Sequence, residues 1–94
     1  MERIGELLPK LGQIIAEDFS NPRIEWVDLF VCYVFLFNAI SNVLSLPHEA
    51  QDKVAEAVEE FIKKRQRGEW ESPTGVGFRI MEIANKYAKP KGAR

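Results

Sequence analysis

The chain is poor in the residues that most catalytic and metal sites require. It has one cysteine and one histidine, which excludes a disulfide framework and a zinc site built from these two residue types. A Ser-His-Asp triad would have to use His48, and a Cys-His pair would have to join Cys32 to His48. Because Cys32 lies in the most apolar segment, it is typical of a small buried hydrophobe. We therefore expect no catalytic residues, no metal site, no cofactor and no small-molecule ligand.

Glycine and proline are also few, six and five in 94 residues, which excludes a low-complexity or collagen-like chain. Hydrophobic residues make up 46% and charged residues 29%, the composition of an ordinary folded domain. We expect one helical domain over residues 1–88 and a flexible basic tail over residues 89–94. The first residues carry Glu2 and Glu6 and no uninterrupted apolar stretch, so we expect an intracellular, cytoplasmic protein.

The first segment has the apolar spacing of an amphipathic helix over residues 2–19. Pro9 lies within it and lacks the N–H that would bond to the Gly5 carbonyl. We therefore expect a kink at Pro9, or a main helix that begins near it. The apolar stripe recurs at spacings of three and four residues: Ile4, Leu7, Leu8, Leu11, Ile15 and Phe19.

A second helix is predicted over residues 22–45, with Pro22 in its first turn. Nine consecutive apolar residues run from Leu29 to Phe37, so we expect this helix to be central and buried. A β-strand is an alternative, but no other segment alternates with period two to pair with it. A membrane span is a second alternative, which the polar residues Asp28 and Asn38 at the ends of the short run argue against.

Two further helices are predicted over residues 47–67 and 74–88. The third begins at Pro47 with acidic residues in its first turn, and it ends with a basic turn followed by Gly68. The fourth ends before Pro90. The sequence therefore predicts an all-α protein, a compact bundle of four helices arranged around the second.

Charge is segregated along the chain although the net charge is only −1. Residues 1–62 carry four basic and eleven acidic side chains, and residues 63–94 carry nine basic and three acidic ones. A solvated helix end explains this pattern. A second interpretation is that the acidic part of one copy meets the basic part of another copy or of a protein partner. A third is a nucleic-acid or anion patch, in which Trp70 and Tyr87 would stack on bases. Its members would be Lys63, Lys64, Arg65, Arg67, Trp70, Arg79, Lys86, Lys89 and Lys91.

One pair of carboxylates precedes the apolar helix. Glu25 and Asp28 stand three residues apart, a spacing that places both on one helix face. This short motif resembles the second metal-binding motif of the all-helical nucleotide pyrophosphohydrolases, and the resemblance implies metal-dependent nucleotide hydrolysis. Those enzymes also carry a Glu-x-x-Glu motif on an earlier helix, which the acids of the first helix do not reproduce. Solvated carboxylates at a helix start are the alternative.

The large rings of the second helix are the strongest functional signal. Three helices with narrow apolar stripes cannot cover such a helix on all sides, and an uncovered apolar face is typical of an association surface. We therefore expect a small interaction or scaffold protein, not an enzyme, which forms a homodimer or joins another protein in a larger assembly. A monomer with a simply central helix is the alternative. The expected interface residues are Trp26, Phe30, Tyr33, Val34 and Phe37.

Overall fold

The protein folds as four α-helices joined by short loops. The computed structural model describes residues 2–88, and the side chains of residues 3–87. The helices are α1 (Glu2–Phe19), α2 (Trp26–Val43), α3 (His48–Gln66) and α4 (Pro73–Ala88), and the described residues form no strand. The predicted all-α class with four helices is confirmed. The predicted basic tail, residues 89–94, lies outside the described part of the chain.

Helix α1 has the predicted bounds and continues through Pro9. The main helix therefore begins at Glu2 and not near Pro9. The proline is exposed, and the buried face of the helix is formed by Ile4, Leu11 and Ile14. This face packs against α3, so the proline lies away from the core.

Helix α2 begins at Trp26, four residues later than the predicted start. The Asn21 side-chain oxygen accepts a hydrogen bond from the Arg23 backbone N–H at 2.9 Å. The Ile24 N–H donates to the Asn21 carbonyl at 3.2 Å. These bonds close a turn in place of a first helical turn, since asparagine side chains compete with the backbone for such N–H groups. Glu25, in an extended conformation, then precedes the helix.

The two ends of α3 show why it is so well delimited. Pro47 stands just before its first residue. After its last turn Gly68 adopts a φ of 83°, while its N–H donates to the Arg65 carbonyl and the Glu69 N–H donates to the Lys64 carbonyl. This is the Schellman arrangement, which places a glycine at the left-handed position. The predicted helix end at Gly68 is confirmed.

Helices α2 and α3 make different contacts in the bundle. Helix α3 packs against both α1 and α4, whereas α2 packs chiefly against α4 and only slightly against α1 and α3. Helix α2, expected at the centre of the bundle, contributes one side to the core. The largest fully buried side chains come from all four helices: Phe61, Leu11, Leu29, Leu36, Ile80, Val43, Val54, Val58, Val76 and Pro73.

A glycine sets the close approach of α4 to α2. A Cβ placed on Gly77 would lie 2.6 Å from the Cδ2 and Cε2 atoms of Phe35. The Phe35 ring also packs on Phe78, with the ring centroids 5.1 Å apart. Because no larger residue fits at position 77 without moving the Phe35 ring, Gly77 allows the two helices to touch.

Among the described residues, one helix is long and apolar enough to cross a membrane. It is α2, Trp26–Val43, with a mean hydropathy of 1.6. Only 33% of its residues are buried in the structure. Length and composition alone do not distinguish a membrane span from a helix of a folded domain.

Candidate functional site

Helix α2 presents one continuous apolar surface to solvent. Its most exposed members are Trp26, Val31 and Phe30, whose exposed fractions are 64%, 61% and 55%. Val27, Val34 and Phe37 are also exposed. We call these six residues the outer face of α2. Four of the five expected interface residues belong to it.

Helical geometry explains why the outer face is continuous. At 3.6 residues per turn, its six residues fall within about half of the helix circumference, with Val34 near the middle. Asp28, the one charged residue of α2, lies outside this arc. The opposite side of the helix is buried in the bundle and includes Leu29, Leu36 and Val43. The outer face is therefore uncharged and uncovered.

A groove runs along the border between the outer face and α1. Its volume is about 380 Å³. Ile15 and Phe19 of α1 form one wall, and Asn38 and Ser41 provide polar groups at the end nearer the C-terminus of α2. The other lining residues are apolar or aromatic, and they are Phe30, Tyr33, Val34 and Phe37.

Tyr33, the fifth expected interface residue, faces the interior. It is 4% exposed, and its hydroxyl donates a hydrogen bond of 2.6 Å to the Asp18 carboxylate. Burial, followed by the nearby Asp18, raises the pKa of Tyr33 well above its ordinary value. Tyr33 also lines the groove between α1 and α2. Tyr33, expected among the interface residues, is therefore buried and does not belong to the exposed outer face.

Arg65, expected in a basic patch, is mostly buried. Its Nη1 atom lies 2.6 Å from Asp18 Oδ1, with side-chain exposures of 11% and 8%. Its Nη2 atom donates to the Glu71 carbonyl at 3.1 Å. The guanidinium also lies over the Trp70 ring, 3.9 Å from the centroid. Arg65 is therefore engaged within the fold at the end of α3, while Trp70, which packs on it, remains 55% exposed.

Most of the other described cations of the expected patch are paired with carboxylates. Lys64 and Arg79 both bind Glu71, at 3.5 Å and 2.6 Å. Arg67 binds Glu69 at 3.1 Å, and this contact lowers the pKa of Glu69 and raises the pKa of Arg67. The positive charge that is concentrated along the sequence is therefore balanced locally by acids that the fold brings beside it.

The remaining members of the expected patch lie on α3, on α4 and beyond the described residues. Lys63 is exposed on α3, 4.0 Å from Glu59. Lys86 is exposed on α4. Tyr87 lies beside the Glu49 carboxylate, and desolvation together with this contact raises its pKa. Lys89 and Lys91 lie outside the described residues. Within residues 2–88, the cations of the expected patch are thus divided between those paired with carboxylates and the exposed Lys86.

The paired carboxylates at the start of α2 do not belong to a metal centre within the described residues. Glu25 and Asp28 are both exposed. Within the described part of the chain, no group of three or more His, Cys, Asp or Glu side chains is placed to hold a metal ion. Nothing in residues 2–88 therefore supports metal-dependent hydrolysis through this pair.

Asp18 is the residue of this region that the sequence did not single out. A carboxylate in the last turn of a helix meets the negative end of the helix dipole, which is unfavourable unless a cation lies close by. That position was the available signal for a partner such as Arg65.

Comparison of the chain with protein-family models, with curated proteins and with solved structures gives no match. The function is therefore argued from the geometry of the outer face.

Proposed function

We propose that the protein acts by association, as a small helical interaction or scaffold protein with no catalysis of its own. The outer face of α2 is the contact surface, and the protein either self-associates or joins a larger assembly through it. The observation that carries this proposal is the continuous exposure of six large apolar side chains on one side of one helix.

The size of the outer face supports this function. With side-chain areas of about 150–250 Å² for aromatic residues, the exposed fractions correspond to about 600 Å² of apolar surface. The largest apolar patch on a typical monomer is about 300–600 Å² and is often functional. Leaving such a patch in water costs roughly 25 cal/mol per Å² of apolar area. A partner that covers it recovers this free energy.

The composition of the outer face matches that of energetically important contact surfaces. Trp26 and Phe30 are large and rigid, and aromatic anchors of this kind dominate many protein interfaces. No charged group interrupts the face, so a partner does not have to desolvate a charge on this side of the contact. Phe19 and Ile15 of α1 extend the same surface across the groove.

The proposal is tested with a charge placed at the middle of the outer face. Val34→Glu is compared with wild type and with Gln13→Glu, a matched change on the exposed surface of α1. We expect light scattering to show an assembled species for wild type and Gln13→Glu, or copurification of the same partner with both. Val34→Glu loses the association, while circular dichroism shows that its helices are retained.

The opposite result is equally clear. If wild type and Val34→Glu have the same mass in solution and copurify with the same proteins, the outer face is not a contact surface. The proposed function is then wrong.

A further inference from the structure

We infer that the occupant of the outer face is a second copy of this chain, packed antiparallel along α2, with Trp26 of each copy inserted into the groove of the other. This inference rests on the proposed function and specifies its partner. It follows from the position of the groove, the position of Trp26 and the area available.

The apolar part of α2 matches itself when two copies run in opposite directions. A two-fold axis between Phe30 and Val34 places each of these residues opposite the other in the second copy. The same axis places Val27 opposite Phe37. In a two-fold interface, every contact of this kind occurs twice. These four residues of the outer face therefore meet apolar residues of the second copy.

In this antiparallel arrangement, Trp26 of one copy lies opposite the groove of the other copy. Trp26 is the most exposed apolar residue, at the start of α2, and the same axis places it opposite Asn38 of the second copy. Asn38 and Ser41 line the groove beside Phe37. A buried indole N–H requires an acceptor, and the side-chain oxygens of Asn38 and Ser41 are acceptors. The ring fills the apolar part of the groove while its N–H reaches the polar end.

A parallel pair lacks this complementarity. It would place Trp26 against Trp26 and leave both indole N–H groups without the acceptors that Asn38 and Ser41 provide. The groove of each copy would also stay empty. In a parallel pair, each residue faces the same residue of the second copy, so Trp26 does not lie opposite the groove. The antiparallel arrangement is the one that fills the groove.

The buried area is sufficient for a specific dimer. Two outer faces of about 600 Å² each bury about 1,200 Å² in total, and the walls of the groove add to this. Specific interfaces bury about 1,200–2,000 Å². A second copy is therefore large enough to cover the outer face without any additional partner.

The first experiment measures the direction of the two helices. Asn42→Cys in a Cys32→Ser background carries a nitroxide label, and the distance between the labels is measured by double electron–electron resonance. At a rise of 1.5 Å per residue, the antiparallel pair separates the two labels by about 30 Å. A parallel pair would bring them to about 10–15 Å, close to the interaxial distance of packed helices, and that result overturns the inference.

The second experiment tests the role of Trp26. Trp26→Ala is expected to weaken dimerisation about tenfold or more, as measured by sedimentation, because it removes a large aromatic anchor. Trp26→Phe keeps a ring but lacks the N–H, and it should lie between wild type and Trp26→Ala. Trp70→Phe is the control, since Trp70 is also exposed but packs on Arg65 and does not line the groove. Equal affinities for wild type and Trp26→Ala overturn the inference.

The same measurements separate this inference from the proposed function. A chain that stays monomeric at about 100 µM, a concentration at which standard interfaces are occupied, overturns the dimer. If that monomer still captures a protein in a manner that requires Val34, the proposed function stands. If it instead sediments with vesicles of neutral phospholipid, and Val34→Glu does not, a lipid surface is the occupant and both proposals fail.

Discussion

Asp18 Oδ1 and Arg65 Nη1 are 2.6 Å apart, and this contact joins the last turn of α1 to the last turn of α3. The other oxygen of the same carboxylate accepts a hydrogen bond from the Tyr33 hydroxyl of α2. One acidic side chain therefore binds three helices together. Tyr33 lies on the same buried side of α2 as Leu29 and Leu36, so the network stabilises the side of α2 that packs in the core.

Removing the negative charge of Asp18 should strongly destabilise the fold. Asp18→Asn leaves the guanidinium of Arg65 buried without its counter-charge, and breaking a buried ion pair in this way costs about 3–5 kcal/mol. The free energy of unfolding is measured by urea denaturation. Glu59→Gln is the matched control, because the Arg3–Glu59 pair is 45% and 40% exposed and exposed pairs contribute about 0–1 kcal/mol. Equal losses in the two variants would contradict this account.

Removing the Tyr33 hydroxyl should also reduce stability, but by less. Tyr33→Phe deletes a hydrogen bond to a charged acceptor, which contributes about 1.5–3 kcal/mol. Asp18 keeps Arg65 as a partner in this variant, so no charge is left uncompensated. The free energy of unfolding in urea should therefore decrease in the order wild type, Tyr33→Phe, Asp18→Asn. A Tyr33→Phe variant as stable as wild type would show that the hydrogen bond is not formed in solution.

Stability should decrease at alkaline pH because the pKa of Tyr33 is raised from its ordinary value of 10.0. The folded protein keeps the phenol proton at a pH at which the unfolded chain has released it. The stabilisation is therefore fully present below about pH 10, the pKa of tyrosine in the unfolded chain, and is lost as the pH rises towards the folded value.

The measurement is the thermal midpoint between pH 9 and pH 12, roughly the range in which free tyrosine titrates. The dependence on pH should be weaker in Tyr33→Phe than in wild type. Tyr87→Phe serves as the control, since Tyr87 does not touch Asp18, and this variant should keep the contribution of Tyr33. If Tyr33→Phe and wild type lose stability in parallel, Tyr33 is not the group responsible.

Two glycine-to-alanine substitutions should act in opposite directions. Gly5→Ala meets no atom within 4 Å, so the better helix propensity of alanine should stabilise α1 by about 0.5–1 kcal/mol. Gly77→Ala would place its Cβ against the Phe35 ring, and overpacking of this kind costs about 1–3 kcal/mol. Thermal denaturation of the two variants gives the comparison. A Gly77→Ala variant that is stabilised as much as Gly5→Ala would show that the Phe35 ring moves away at no cost.

The sequence predicted the number and nature of the helices because their apolar spacing and end signals are local. Gly68 and Pro47 delimit α3 as expected. The nine apolar residues from Leu29 to Phe37 made α2 recognisable, but such a run has no polar side. The sequence therefore could not tell which residues face the bundle, and Tyr33 looked equivalent to Phe30.

The charge pattern along the sequence did not reveal the ion pairs for a related reason. Counting charges along the chain detects a basic segment, but the acid that neutralises Arg65 is Asp18, 47 residues away. The pairing of Lys64 and Arg79 with Glu71 likewise depends on how the loop after α3 folds back beside α4. A substitution of Arg65 intended to test nucleic-acid binding would therefore disturb the ion pair with Asp18 and change the stability of the fold.

The hydrogen bond between Tyr33 and Asp18 has a consequence for the affinity of the proposed complex. It holds α2 against the bundle, so the rings on the other side of the same helix are preorganised. Binding to a preorganised surface loses little conformational entropy. A substitution that removes this hydrogen bond should therefore weaken the proposed complex, although it changes no atom of the contact surface.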